Sequence, residues 1–145
     1  EKTALVRHSA RLLSALANAT VPLMTVVLRK AYGLGYYIMG SRPLHPAILL
    51  AWPTAEFGGM GLEGAASIIF KAELEAIADL TERAEAHRAY TEELKAYNTS
   101  LRVGERFGFD DVIDPVDTRQ ILSATMDTFP TPPQRTTKKL TIAPI

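Results

Sequence analysis

From Leu5 onward the apolar residues Leu5, Leu12, Leu13, Leu16 and Ala19 recur on one face at helical spacing, while Arg7, Arg11, Ser14 and Asn18 fall elsewhere. This pattern predicts a helix that ends near Thr20, before Pro22. Residues 23–28, rich in β-branched side chains and bounded by breakers, predict a buried strand. A turn with Gly33 and Gly35 follows, then a short helix over residues 36–39 closed by Gly40. Residues 47–52 predict a second buried strand, after which Pro53 and Thr54 read as the reopening of a helix with Thr54 as its N-cap.

The segment 57–61, Phe-Gly-Gly-Met-Gly, is too rich in glycine for a stable helix, which points to close approach of its backbone to another group. It leads into a packed helix through Ala65, Ala66, Ile68, Ile69 and Phe70. Residues 71–97 predict long surface helices, solvated or set against a neighbouring subunit, with Leu74, Ile77, Ala78, Ala84, His87, Leu94 and Tyr97 available for buried stripes. The pattern breaks near Asn98 and resumes with a strand at 111–114. Asp117 and Gln120 resemble a capping box before a last helix that buries Ile121, Leu122, Met126 and Phe129. Residues 1–129 are expected to form the domain and residues 130–145, rich in proline, an extended tail. No repeat is visible in the sequence.

A chain of 145 residues that is 47% apolar supports one compact domain, or a piece of one. It starts without Met and enters a helical pattern almost at once, as expected of a piece of a longer product. Sixteen basic residues balance sixteen acidic ones, so no net field favours nucleic acid or a membrane surface. The absence of cysteine excludes disulfides, thiolate metal sites and cysteine nucleophiles. It fits a reducing compartment, and the expected setting is the cytoplasm, or the mitochondrial matrix in a eukaryote. The apolar runs are too short to cross a bilayer.

Among candidate groups, Gly33-Leu34-Gly35 follows a strand and opens a helix, so its N–H groups face whatever anion lies in front of them. By itself this is a tight turn as readily as a site. It lacks the third glycine of a dinucleotide fingerprint and the Gly-Lys-Ser/Thr of a phosphate loop. His8, His45 and His87 share no ligand spacing, and no metal site is expected. Glu56 and Glu63, seven apart, could share a helix face as an acid/base pair, although structural roles are favoured. Tyr32 and Trp52 flank the turns and could wall a ligand channel or pack in the core. Gly58, Gly59 and Gly61 serve ligand approach or close helix packing.

Four blocks occur in order: Arg29-Lys30-Ala31-Tyr32-Gly33, Ala51-Trp52-Pro53-Thr54-Ala55-Glu56, Met60-Gly61-x-Glu63-Gly64-Ala65 and Asp110-Asp111-Val112-Ile113-Asp114-Pro115. Together they make the chain resemble the C-terminal half of the carboxyltransferase β subunits of biotin-dependent acyl-CoA carboxylases, of the propionyl-, acetyl- and methylcrotonyl-CoA type. The resemblance implies an α/β crotonase-like fold of repeated strand, strand, helix units. It also implies transfer of a carboxyl group from carboxybiotin, borne by a biotin carboxylase/biotin carrier partner, to the α-carbon of an acyl-CoA. In that family both the biotin ureido oxygen and the thioester oxygen are held by backbone N–H pairs. By position, the biotin-side pair falls on Leu34 and Gly35 after Gly33, with Tyr32, Tyr36, Tyr37, Trp52, Gly58 and Gly59 on the substrate side.

Leu34 stands where the family has glycine, which would strain the turn if that position needs a positive φ. Tyr37 would narrow the acyl pocket. The resemblance further implies a dimer-based homo-oligomer, a hexamer when complete, whose site is finished by another subunit's amino-terminal domain. The alternatives are the carboxyltransferase of a biotin-dependent decarboxylase, a crotonase-type hydratase or isomerase, and a non-catalytic assembly piece.

Overall fold

A computed structural model of the protein describes residues 4–106 and 108–130. The elements run α1 (Leu5–Ala17), β1 (Met24–Val27), β2 (Lys30–Tyr32), α2 (Gly33–Ile38), β3 (Ile48–Ala51), β4 (Glu56–Gly58), α3 (Leu62–Ile69), α4 (Lys71–Ala76), α5 (Leu80–Tyr97), α6 (Ser100–Gly104), β5 (Asp111–Val112) and α7 (Thr118–Asp127). Single 3-10 turns lie at Arg42–Leu44 and Pro115–Asp117.

All pairing between the named strands is parallel. One sheet has the order β1-β3-β5, with Met24 opposite Ile48 and Leu50 opposite Asp111. The other pairs β2 with β4, Lys30 opposite Glu56 and Tyr32 opposite Gly58. The strand, strand, helix unit β1-β2-α2 is therefore laid in register on a second unit, β3-β4-α3. This is an internal structural repeat where the sequence shows none. The two copies share direction and element order but no residue pattern: Met24-Thr25-Val26-Val27 lies beside Ile48-Leu49-Leu50-Ala51.

Parallel strands covered on both faces read as continuous apolar runs, and Leu49, Leu50 and Ala51 are almost fully buried. Between the sheets lies a core of Val27, Ala31, Leu49, Ala51, Ala55, Phe57 and Phe109, with Tyr36, Val103 and Val112 packed against it. Phe57 stacks on Phe109 with centroids 5.1 Å apart, and Tyr36 meets Phe57 edge-on at 5.6 Å, so α2 is seated on β4 through an aromatic contact.

Three expectations are corrected. Thr54 does not cap a helix: its hydroxyl donates to the Leu28 carbonyl at 2.7 Å, and the chain goes on into β4 rather than a helix. Ladder pairing with β2 outweighs the local signal. Asp117 precedes α7 without a side-chain cap; Asp114 instead accepts from the Val116 N–H at 2.9 Å and holds the preceding 3-10 turn. The stripe that α5 turns inward is Arg83, Ala86, His87, Tyr90, Thr91 and Leu94, while Ala78, Ala84 and Tyr97 are exposed. Tyr90 stacks on Phe70 at 4.1 Å, which displaces the stripe from the positions that hydrophobicity alone suggests. The expected tail falls, beyond Pro130, outside the described residues.

Asp110 joins three parts of the fold. Its carboxylate accepts from the Leu49 N–H of β3 at 2.8 Å and from Arg42 at 2.7 Å. Burial pushes its pKa up, but the Leu49 N–H and Arg42 together outweigh that and hold it below the usual carboxylate value. A depressed folded-state pKa gives stability that is complete above the unfolded value of about 4 and is lost as pH falls through the folded value below it. Asp110→Asn is therefore expected to lower the melting temperature at pH 7. The gap to the wild type should shrink in melts taken progressively below about pH 4, where the wild-type carboxylate also loses its charge.

Candidate functional site

Because β2 and β4 are paired in parallel, the turns that leave them lie side by side. Tyr32 is opposite Gly58, so Gly33 abuts Gly59: a Cβ built on Gly33 would stand 3.0 Å from the Gly59 carbonyl oxygen. Gly33 also has φ +54°, in the region that L side chains avoid. Leu34 is not among the residues with positive φ. The strain anticipated for a leucine in this turn therefore does not arise, since the preceding glycine takes the left-handed conformation. Leu34 is 52% exposed and Gly35 is also at the surface.

Gly33, Leu34 and Gly35 form the first turn of α2, where a helix has no carbonyl of its own to receive the N–H groups. The parallel ladder that ends on the Tyr32–Gly58 pair directs the Gly33 N–H toward Gly58, whereas among the described residues no loop or turn carbonyl accepts from Leu34 or Gly35. A Cβ on Gly35 or on Gly59 would meet nothing within 4 Å, so both turns have open space at these glycines. Gly58 is covered instead: its missing Cβ leaves room for the Tyr32 ring at 3.2 Å and the Met60 carbonyl at 3.0 Å. Gly61 precedes α3 as its N-cap.

The structure thus brings together Tyr32, Gly33, Leu34, Gly35, Gly58 and Gly59. Tyr37 is 52% exposed on α2, with its ring 6.0 Å from that of Tyr36. Tyr36 packs against Phe57, and burial raises its pKa. Trp52 is not gathered with the glycine turns: its indole N–H donates to Thr118 at 3.0 Å, fastening the end of β3 to the start of α7.

Glu56 and Glu63 do not share a helix face, because Glu56 is a β4 residue and Glu63 sits in the first turn of α3. Glu56 accepts the Tyr32 hydroxyl at 2.8 Å and lies 3.7 Å from Lys95 of α5. Lys95 escaped the sequence reading because its only visible context was a charged helix; no spacing relates it to Glu56. Ser67 and His87 pair at 2.9 Å, but the Ser67 hydroxyl donates to the Glu63 carbonyl. The His87 Nε2 also lies 3.0 Å from the Glu63 carbonyl, so the ring bridges α3 and α5. No group of three or more His, Asp or Glu able to hold a metal occurs among the described residues, and no helix there is long and apolar enough to cross a membrane.

Residues 1–140 match the carboxyl transferase domain family. The chain belongs to that family. It is 44% identical over 128 residues to the methylmalonyl-CoA carboxyltransferase 12S subunit of Propionibacterium freudenreichii subsp. shermanii, covering 88% of this chain and 24% of that protein. It is 45% identical over 125 residues to the propionyl-CoA carboxylase carboxyltransferase subunit of Haloferax mediterranei, covering 86% and 24%. A crystal structure of transcarboxylase 12S, a hexamer with hydrolysed methylmalonyl-CoA bound, superposes with a TM-score of 0.79 at 39% identity, covering 95% of this chain and 26% of that one. The carboxyltransferase domain thus has the crotonase-like α/β fold, and the chain spans about a quarter of the length of these relatives.

The geometry at the two turns makes a contrast between neighbouring glycines. Gly33→Ala combines a positive φ with a backbone oxygen in the way and is expected to cost about 2 kcal/mol of stability or more. Gly35→Ala has free space and is expected to cost none. Urea unfolding midpoints of the two variants and the wild type provide the check.

Proposed function

We propose that this chain is the biotin-facing part of a carboxyltransferase, which moves the carboxyl group of carboxybiotin to the α-carbon of an acyl-CoA. The observation that carries the reading is the first turn of α2, exposed beside the open Gly59 turn with N–H groups that no loop carbonyl takes up. In this reading residues 1–129 belong to the C-terminal crotonase-like domain, and residues 130–145 form a tail.

When bound, the carboxylated biotin of a partner carrier supplies the carboxyl group and the base for the reaction. What the chain supplies is a set of fixed donors. The N–H groups of Leu34 and Gly35 hold negative charge on the ureido oxygen, and each such donor lowers the barrier by about 3 kcal/mol. Because the donors belong to the backbone, leucine in place of glycine at position 34 leaves the chemistry intact while its side chain narrows the approach. Tyr37, on the same short helix, is placed to limit the acyl group. Gly58 and Gly59 keep the second turn low enough for a ligand to reach the first.

The remaining parts of the site lie with the rest of the longer relatives' architecture. The thioester oxygen is held by a second subunit's amino-terminal domain, in a dimer-based homo-oligomer served by a biotin carboxylase/biotin carrier partner. The similarity to a hexameric transcarboxylase supports this assembly.

The complete subunit, assembled with a biotinylated carrier, is expected to carboxylate acetyl-, propionyl- or a longer acyl-CoA. The measurement is incorporation of labelled bicarbonate into acyl-CoA with biotin carboxylase and ATP present to charge the carrier. Release of carbon dioxide from a carboxylated acyl-CoA without net synthesis would favour the decarboxylase alternative, and no turnover of any kind in an assembled complex would contradict the proposal.

A further inference from the structure

Tyr32 occupies a singular place in the chain. It is the last residue of β2, the N-cap of α2, and the residue before Gly33, so its position fixes where the turn that carries the Leu34 and Gly35 N–H groups leaves the sheet. Its side chain is held from two sides. The ring lies on Gly58, where a Cβ would come within 3.2 Å of it, and the hydroxyl donates to Glu56 Oε2 at 2.8 Å.

The parallel register explains this. Lys30 is opposite Glu56 and Tyr32 opposite Gly58, so Tyr32 lies across a bare glycine and reaches the carboxylate one pleat back along β4. Glu56 is itself fixed. Its backbone N–H donates to the Arg29 carbonyl, it bridges to Thr99, and its second carboxylate oxygen lies 3.7 Å from Lys95 near the end of α5. Its side chain is only 18% exposed, whereas that of Lys95 is 45% exposed, so the Tyr32 bond is the sheltered member of the chain and the Lys95 pair the screened one.

We propose that Tyr32 and Glu56, backed by Lys95, are positioning residues of the carboxyltransferase reaction that hold the Gly33-Leu34-Gly35 turn in its donor-presenting orientation. This rests on the reading of that turn as an oxyanion site. Tyr32 is suited to the role because it stays a donor at every working pH. Burial pushes its pKa up, and the hydrogen bond to Glu56 and the charges of Glu56 and Glu63 push it further, which favours the protonated hydroxyl. Lys95 has a second effect, offsetting the negative charge that Glu56 would otherwise direct toward a site that must attract an anionic oxygen.

Tyr32→Phe isolates the hydrogen bond, since the ring and its contact with Gly58 remain. In the complete subunit with its biotinylated carrier, this variant is expected to lose about 10-fold in kcat, with KM for acyl-CoA and for the carrier within about 2-fold. Its melting temperature and assembly state should match the wild type. Glu56→Ala should lose as much as Tyr32→Phe, Glu56→Gln should recover most of the loss because an amide oxygen still accepts, and the double variant Tyr32→Phe/Glu56→Ala should be no worse than either single one.

A kcat within about 2-fold of the wild type in Tyr32→Phe, against an active wild type, would overturn the positioning role and leave the assignment of the hole standing. A loss of kcat matched by a fall in melting temperature, or losses that multiply in the double variant, would overturn it too, by showing a structural effect only. An assembled wild type with no transfer activity would overturn the hole and the positioning role together.

Discussion

The close approach of two glycine turns, where two short parallel strands end, is the constraint on which the site depends. Strands in a sheet lie about 4.8 Å apart, so turns leaving adjacent strands at the same level must touch. Here they touch with a carbonyl oxygen 3.0 Å from where a Cβ at Gly33 would be. No other residue type fits there without displacing the backbone, and the positive φ of Gly33 bends the chain directly into α2. The consequence is chemical: the first turn of α2 emerges at the surface, and no loop carbonyl takes up the Leu34 or Gly35 N–H.

That arrangement follows from the stacked strand, strand, helix units. Each contributes one strand to each sheet and then leaves through a helix, so the units place corresponding exits next to each other. The aromatic contact of Tyr36 with Phe57, and of Phe57 with Phe109, anchors α2 and β4 to the loop that precedes β5. Asp110 then ties that loop to β3 and to the 3-10 turn after α2. Core packing and the presentation of the site are thus parts of one construction. The acidic surroundings are handled locally: one carboxylate oxygen of Glu56 receives the Tyr32 hydroxyl, and the other faces Lys95.

Much of this was legible in the residues. Apolar runs at 23–28 and 47–52 marked two strands: the second is buried, and a parallel strand covered on both faces shows no alternation, while the first is the half-buried edge of its sheet. The four ordered blocks carried the family and its fold, and the glycines of 33–35 and 58–61 marked the turns. What was hidden has physical reasons. Strand β4 is three residues long and contains a glycine, so propensity could not reveal it, and Thr54 offered a plausible false cap. Asp79 was the better capping signal, accepting from the Thr81 and Glu82 N–H groups at the start of α5. The repeat was invisible because its two copies keep direction and element order instead of residues. Lys95 could be joined to Glu56 only in three dimensions. The position of positive φ was likewise a matter of coordinates: a leucine between two glycines reads as strained until the bend is found to belong to the first glycine.

The most direct test of the account acts on one atom pair in the backbone. Replacing the Leu34 peptide N–H by an ester oxygen, through incorporation of the corresponding α-hydroxy acid, removes one donor and leaves every side chain in place. The account predicts that the complete, assembled enzyme loses about 100-fold or more in the rate of carboxyl transfer while its melting temperature stays near that of the wild type. An ester enzyme that transfers carboxyl groups at the wild-type rate would contradict it.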